Sequence, residues 1–378
     1  MLNKWPRITD ELGEFILDAL EESSLNYGED SITRDLEEDF AFFQPAKYVI
    51  GVCSGSVALW AAYHGIQNYP ALPPRAGAEG SEVIMGGYGF WATATAAWYA
   101  GLRPKFCDVQ LKSGNIDPDK IEEQITPRTI AITVTHVGGH PADMDAIMDI
   151  AQRHSLKVIE DCAHAHGATI DGRHVGTFGD VAAFSLQTLK MMSGGEGGLL
   201  STDDPEIFRR AAELVNVRRL AGEDVKPEPE LSLTGLGLKL RISPLSSALA
   251  SYHLQRLPEF IRLRQRKLRY LTTKLEDVQP LALPHPKIDR GAWYEYAVRI
   301  PGSTDMKQKL EKRGLEMPAS NTRAFYRMLF LGGANATSLL NADQLEREII
   351  FLPTFTFEEE DEIDIYVEQF VKLLGDLL

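Results

Sequence analysis

From residue 48 to residue 161 the chain repeats one pattern, a short β-rich run followed by a segment of helical periodicity. The runs 48–52, 82–85, 105–108, 130–135 and 158–161 alternate with helices expected to begin at Ser56, Ala92 and Met144. Strands of four to six residues separated by helices cannot close as hairpins. They predict an α/β fold with a mostly parallel central sheet and helices on both faces. Ahead of this core, Ile8, Leu12, Phe15, Ile16, Ala19 and Leu20 recur at helical spacing, and residues 32–43 repeat the pattern, so two helices precede the sheet. Beyond it, a long helix over 244–269, a strand over 296–300 and helices over 306–312 and 359–374 suggest a small α+β domain. A chain of 378 residues, 44% of them hydrophobic, can bury one large core and a smaller one. The expected division is a large domain over 1–255 and a small C-terminal domain over 256–378. The Pro- and Glu-rich stretch 221–232, AGEDVKPEPELS, reads as a loop.

Charge and cysteine usage narrow the classes of function. With 39 basic against 54 acidic residues the net charge is −15, which argues against binding a nucleic-acid backbone. Cys53, Cys107 and Cys162 are widely spaced, so they suggest neither a disulfide framework nor a zinc site, and they fit a reducing cytoplasm. His136, His140 and His166 do not make a metal-binding spacing, and no metal is expected. The N-terminal MLNKWPRITDELGEF is polar and amphipathic rather than a signal peptide, and no apolar run reaches membrane-spanning length.

The chemistry concentrates in residues 158–198, VIEDCAHAHGATIDGRHVGTFGDVAAFSLQTLKMMSGGEGG. Asp161 ends an apolar run, and Lys190 stands among small residues downstream. Alone, the aspartate reads as a helix cap and the lysine as a solvated charge. Together they supply what pyridoxal 5'-phosphate requires: an amine for a Schiff base with its aldehyde, and an acid that keeps its ring nitrogen protonated.

The full stretch resembles the DegT/StrS-type family of fold-type-I aminotransferases, which carry EDCA(Q/H)xxGA, GDxxxFSxxxxK and GEGG motifs. These stand here as Glu160–Ala168, Gly179–Lys190 and Gly195–Gly198. The resemblance implies a fold-type-I aminotransferase with pyridoxal 5'-phosphate as cofactor, Lys190 as the attaching lysine and Asp161 as the ring-nitrogen partner. It further implies that Gly55 and Ser56, in the turn CSGSVAL, and Ser185 hold the phosphate, a task suited to a glycine turn opening a helix. Phe90, in EVIMGGYGFWAT, falls where the family stacks an aromatic on the pyridine ring, with Gly89 replacing the usual threonine. His164 falls beside the cofactor's phenolic oxygen. In GLKLRIS, residues 237–243, Lys239 replaces an asparagine that in the family reaches the neighbouring subunit's phosphate. That implies a homodimer with shared active sites.

By the same resemblance the donor is L-glutamate or L-glutamine, and the acceptor is a keto sugar, nucleotide-linked or free, or a keto cyclitol of antibiotic-type biosynthesis. EDCAHAHGA and GLEMPASNTRAFYR are most similar to the branch of inosose aminotransferases and 3-amino-5-hydroxybenzoate synthases. Arg323, Tyr326 and Tyr27 are then candidates for the acceptor pocket, with surface pairing or packing as the plain alternative. Two other functions stay open: a pyridoxal-dependent dehydration and aromatisation, and a non-catalytic regulatory protein that keeps the fold.

Overall fold

The computed structural model describes residues 5–67, 80–220, 237–283, 290–328 and 338–378; the expected loop at 221–232 lies outside them. In chain order the main elements are α1 (Asp10–Glu22), α2 (Ile32–Phe43), β1 (Tyr48–Val52), α3 (Gly55–Gly65), β2 (Glu82–Gly86), α4 (Ala92–Tyr99), β3 (Arg103–Cys107), β4 (Thr129–Thr135), α5 (Met144–His154) and β5 (Lys157–Asp161). A two-residue pair, β6 (Thr169–Ile170) and β7 (Arg173–His174), precedes β8 (Val181–Ser185), β9 (Gly198–Thr202) and α6 (Pro205–Val215). Then follow α7 (Pro244–Leu275), β10 (Tyr296–Arg299), α8 (Met306–Lys312), α9 (Leu340–Glu348), β11 (Ile349–Leu352) and α10 (Glu360–Gly375).

Seven strands form the central sheet in the order β1-β9-β8-β5-β4-β2-β3. β3, β2, β4, β5 and β8 run parallel, and β9 is antiparallel to both β8 and β1. Alternate side chains of one strand enter opposite cores. Val181 and Ala183 face a core with α3, α4 and α6, whereas Ala182 and Phe184 face one with α2 and α7. The first core is rich in alanine, with Ala58, Ala61 and Ala62 from α3 and Ala94, Ala96 and Ala97 from α4, so these helices lie close to the sheet and to each other. A further cluster packs α5 against Ile84, Ile132, Val134 and Val158.

The expected strands are present within a residue or two of their ends. β8, β9 and α6 were not legible as elements. β8 lies inside the stretch that carries the chemical motifs and β9 begins at its end, and each is a run of apolar and small residues without strand alternation, because each is buried throughout. In the C-terminal part, α9 and β11 are likewise additional, and β11 pairs antiparallel with β10. α7 continues six residues past the expected 269 to Leu275. The expected domain division at 255/256 falls inside it: Ala250, Leu254 and Leu257 pack under the main sheet, while Leu268, Leu271 and Leu275 join β10, β11 and α10. Among the described residues no helix is long and apolar enough to cross a membrane.

Phe184 shows how the sheet fixes the site, because it precedes Ser185 and packs edge-on against Phe40 of α2 at 4.9 Å between ring centroids. With Phe184 fully buried, Phe184→Ala is expected to cost about 3–5 kcal/mol in urea unfolding. A loss under about 1 kcal/mol would show that this packing does not hold β8.

Candidate active site

Parallel strands end on one edge of a sheet, and in such folds ligands gather outside those carboxyl ends. Here β5 ends at Asp161 and β8 at Ser185, while Ser54 follows β1 and Phe90 follows β2. The residues singled out in 158–198 are thus brought to the same edge as the turn at residues 53–56.

Asp161 is buried. Its Oδ2 accepts from Thr93 Oγ1 at 2.6 Å and Thr135 Oγ1 at 3.5 Å, and its Oδ1 from the Ala163 N–H at 3.2 Å. Burial pushes its carboxyl above the ordinary range, against the pull of Thr93, the Ala163 amide and the positive charge of Lys190. Thr93 carries no local signal in the sequence; its place in the first turn of α4 brings its hydroxyl to Asp161.

Lys190 is also buried, and burial lowers its amine to about 8, with Glu295 and Asp161 opposing the shift. Its Nζ lies 3.9 Å from the centre of the Tyr294 ring, and Trp5 Nε1 donates to its carbonyl at 2.9 Å. The other face of this environment is histidine. The Gly138 N–H donates to His164 Nδ1 at 3.3 Å, and the His164 ring stacks on Tyr294 at 4.2 Å. Burial and the Lys190 charge hold His164 well below its usual pKa and His166 at about 3, so both are neutral. Because Nδ1 of His164 accepts, its proton resides on Nε2. The buried Nε2 of His166 has no protein partner among the described residues.

Ser54, Gly55, Ser56, Ser185 and Gly198 make a close-packed cradle. A Cβ on Gly55 would lie 2.7 Å from the Ser185 Cβ, and one on Gly198 would lie 2.5 Å from the Ser54 carbonyl carbon and oxygen. Ser54 caps α3 by accepting from the Val57 N–H at 3.2 Å, which leaves Ser56 exposed at the second helical position. Free amides, two hydroxyls and the positive end of α3 together suit a phosphate. Lys239 is exposed, in a segment whose Leu240 carbonyl accepts from the Cys53 N–H at 2.8 Å. That segment therefore runs beside the same turn.

The other predicted residues have distinct places. Phe90 is partly buried, 4.2 Å from the Trp91 ring. Gly89 has φ +141°, a conformation that favours glycine, and pairs with Arg323 through two 2.9 Å backbone bonds. The Arg323 guanidinium lies 5.5 Å from the Trp91 ring centre. Tyr326 is fully buried, and its hydroxyl donates to Asp343 at 2.7 Å while accepting from Arg327 at 2.8 Å and the Leu339 N–H at 3.1 Å. Tyr27 donates to Glu37 at 3.0 Å, in a network where Glu37 also takes Arg219 Nε at 2.8 Å and the Gly51 N–H at 2.8 Å. Neither Tyr27 nor Tyr326 lines the cavity that opens beside Leu189 and Tyr294. That cavity, about 330 Å³, is walled by Trp5, Arg264, Glu295, Glu316 and Ser320 among others. Tyr294, Glu295 and Trp5 were missed in the sequence, since they arrive from before β10 and from the N-terminus, far from the motifs.

Glu160, beside Asp161, has a structural task. Its carboxylate takes the N–H groups of Gly176, Phe178 and Gly179 at 2.7–2.8 Å and faces His136 Nε2 at 3.1 Å. His136 Nδ1 in turn accepts from the Ala142 N–H at 3.0 Å. His136, Glu160 and Cys162 cluster closely enough to suggest a metal, but these bonds already occupy the histidine and the carboxylate.

A buried amine of lowered pKa, a buried carboxylate at a strand end and a hydroxyl-and-amide cradle that no Cβ could enter fit pyridoxal 5'-phosphate. On this fold they define a pyridoxal phosphate-dependent aminotransferase. The chain belongs to the DegT/DnrJ/EryC1/StrS aminotransferase family, whose model matches residues 6–371. It is 33% identical over 304 residues to the spore coat polysaccharide biosynthesis protein SpsC of Bacillus subtilis (78% of this chain, 74% of that protein). It is 34% identical over 312 residues to the L-glutamine:scyllo-inosose aminotransferase of Streptomyces griseus (79% and 70%). The crystal structure of 3-amino-5-hydroxybenzoic acid synthase superposes with a TM-score of 0.85 at 25% identity, covering 100% of this chain and 99% of that one.

Two outcomes follow from the geometry. Gly198→Ala is expected to weaken pyridoxal 5'-phosphate binding at least about tenfold in an absorbance titration, and unchanged affinity would mean that the start of α3 is not the phosphate cradle. A lysine reacts only as the free amine, so trace acylation of Lys190 in the apoprotein should rise with pH and level off above its pKa of about 8. A midpoint near the ordinary lysine value of about 10.4 would show that the amine is not desolvated.

Proposed function

We propose that this aminotransferase moves an amino group from L-glutamate or L-glutamine to the keto group of a sugar or cyclitol, in amino-sugar biosynthesis of the antibiotic type. The observation that carries the reading is the cavity beside Leu189 and Tyr294, the latter the ring on which the Lys190 amine rests. Its carboxylates, Glu295 and Glu316, and the hydroxyls of Ser320 and Thr354 suit a polyhydroxylated ring, which offers many donors. Tyr294 and Trp5 give that ring apolar faces, and Arg264 adds one buried cation for a donor carboxylate. The names of relatives that act on inososes and on a dTDP-linked keto sugar support the same class of acceptor.

When bound, pyridoxal 5'-phosphate supplies an electron sink that makes the carbon bearing the substrate's amine acidic. This chain's residues do the rest. Asp161 holds the proton on the ring nitrogen, Gly55, Ser56 and Ser185 hold the phosphate, and Phe90 covers one face. His164, neutral with its proton on Nε2, offers a donor toward the phenolic oxygen. Lys190 would attach the cofactor and, with its amine freed, would take the proton from the amine-bearing carbon as general base and deliver it as general acid to the carbon that was the cofactor's aldehyde. A value near 8 lets Lys190 do both at neutral pH.

In a homodimer, which we propose as the active unit, Lys239 would reach the neighbour's phosphate as a point charge. Arg323, held by backbone bonds to Gly89 and 5.5 Å from the Trp91 ring centre, would meet the acceptor only outside that cavity, which it does not line. The three cysteines are free, which suits a reducing cytoplasm.

The test supplies L-glutamine or L-glutamate to the cofactor-loaded enzyme and assays release of the matching keto acid, then adds a panel of free and nucleotide-linked keto sugars and inososes with product mass spectrometry. Stoichiometric keto acid followed by an aminated acceptor is expected. An aromatised product would replace this reading by dehydration, and absence of keto acid with any donor would favour a non-catalytic role. Lys190→Ala should lower turnover at least about 10²–10⁴-fold.

A further inference from the structure

The cavity beside Leu189 and Tyr294 holds a carboxylate that has no cation of its own. Glu295, the residue before β10, is 9% exposed and walls that cavity. Its N–H donates to the Gly138 carbonyl at 3.1 Å, which fixes its backbone to the loop after β4. Ser320 Oγ donates to one carboxylate oxygen at 2.6 Å, and Thr322 Oγ1 donates to the other at 2.9 Å. The Ser320 oxygen also accepts from the Thr322 N–H at 3.1 Å, so its own proton is left to point at Glu295. Both carboxylate oxygens are thus held as acceptors, the arrangement of an ionised acid, and each keeps a lone pair for a further donor.

Among the described residues no lysine, arginine or histidine forms an ion pair with Glu295. The Lys190 amine rests on the Tyr294 ring at 3.9 Å instead, and Arg264, the cation of the cavity wall, bonds the Trp293 carbonyl and Thr356. Two neutral hydroxyls recover only part of the hydration that a buried carboxylate loses. Burial accordingly raises its pKa, and a cationic group of a ligand seated beside it would restore the charged form. The amine donor does not supply that group. Its amine is the one that reacts at the cofactor, and its remaining charge is anionic, which Glu295 repels. A cation at this place therefore arrives with the acceptor.

We propose that the acceptor is a keto sugar or keto cyclitol that already bears an amino group, and that Glu295, oriented by Ser320 and Thr322, receives its ammonium. This inference rests on the cavity being the acceptor site proposed above. A neutral ring of the same shape would offer the carboxylate hydroxyl donors alone, so the site selects its substrate by charge at one ring position.

The experiment titrates the enzyme loaded with pyridoxamine 5'-phosphate, a form that a ring amine does not attack, with D-glucose, D-glucosamine, 3-amino-3-deoxy-D-glucose and 6-amino-6-deoxy-D-glucose by calorimetry. At least one of the three amino sugars should bind about tenfold or more tighter than D-glucose. Glu295→Gln should bring that sugar to within about twofold of D-glucose, and Ser320→Ala with Thr322→Val should remove part of the preference. Equal binding of all four sugars, or a preference that survives Glu295→Gln, overturns this proposal and leaves the sugar reading standing. If Glu295→Gln does not fold, an undiminished preference in the double variant overturns it. Binding of none of the four sugars overturns both readings.

Discussion

Where α3 begins, three stretches of backbone meet so closely that the site has no room for one more carbon atom. Gly198 at the start of β9 lies against Ser54, and Gly55 lies against Ser185 at the end of β8. Much of the active edge depends on this contact. It sets β9 between β8 and β1, and it aims the amides of α3 at the place where Ser185 presents its hydroxyl. The GEGG motif therefore has a steric meaning. Its last glycine is required by close approach of backbone, whereas Gly195 and Gly197 adopt the positive φ values of 76° and 155° that turn the chain between Lys190 and β9.

Electrostatically the site is a low-dielectric pocket in which few charges are permitted. Burial raises Asp161 and Glu295, lowers Lys190 and keeps His164 and His166 neutral. The same cause thus acts in opposite directions on acids and bases, moving each toward its uncharged form. An amine brought near neutrality can both take and give a proton, which a solvated lysine cannot do efficiently. Specific partners then separate the two acids. Asp161 is bonded by a threonine hydroxyl and a backbone amide within the main sheet edge, whereas Glu295 is bonded by hydroxyls from the stretch after α8.

The segment at residues 292–296 couples the two parts of the molecule. Ala292 and Glu295 bond the backbone of the loop after β4, Tyr294 packs between His164 and Lys190, and Tyr296 begins the strand that organises the C-terminal core. Arg264, buried in α7, bonds the Trp293 carbonyl at 3.1 Å and Thr356 at 2.9 Å and so fastens this segment from behind. Trp5 closes the same region through the Lys190 carbonyl and through stacking on Phe357 at 5.9 Å. Residues distant in sequence from the motifs thus shape the space in which a substrate must fit.

The sequence by itself determined the architecture and the chemical centre. Apolar runs alternating with amphipathic segments specify strands and helices through local periodicity, and the order of residues between Val158 and Gly198 carries Asp161, Ser185, Lys190 and the cradle's Gly198 as a contiguous signal. Its limits are also physical. β8 and β9 lack alternation because both faces are buried, so their strand character arises only from pairing. Tyr294, Glu295 and Thr93 belong to the site through contacts with chain far away, and nothing in their own neighbourhoods distinguishes them from packing residues. Tyr326 shows the converse, an aromatic residue inside a suggestive motif whose hydroxyl the tertiary structure commits to Asp343 and Leu339. Which side chains share the buried space around Lys190 was decided by folding alone, because desolvation and charge pairing act through space and leave no local trace in the chain.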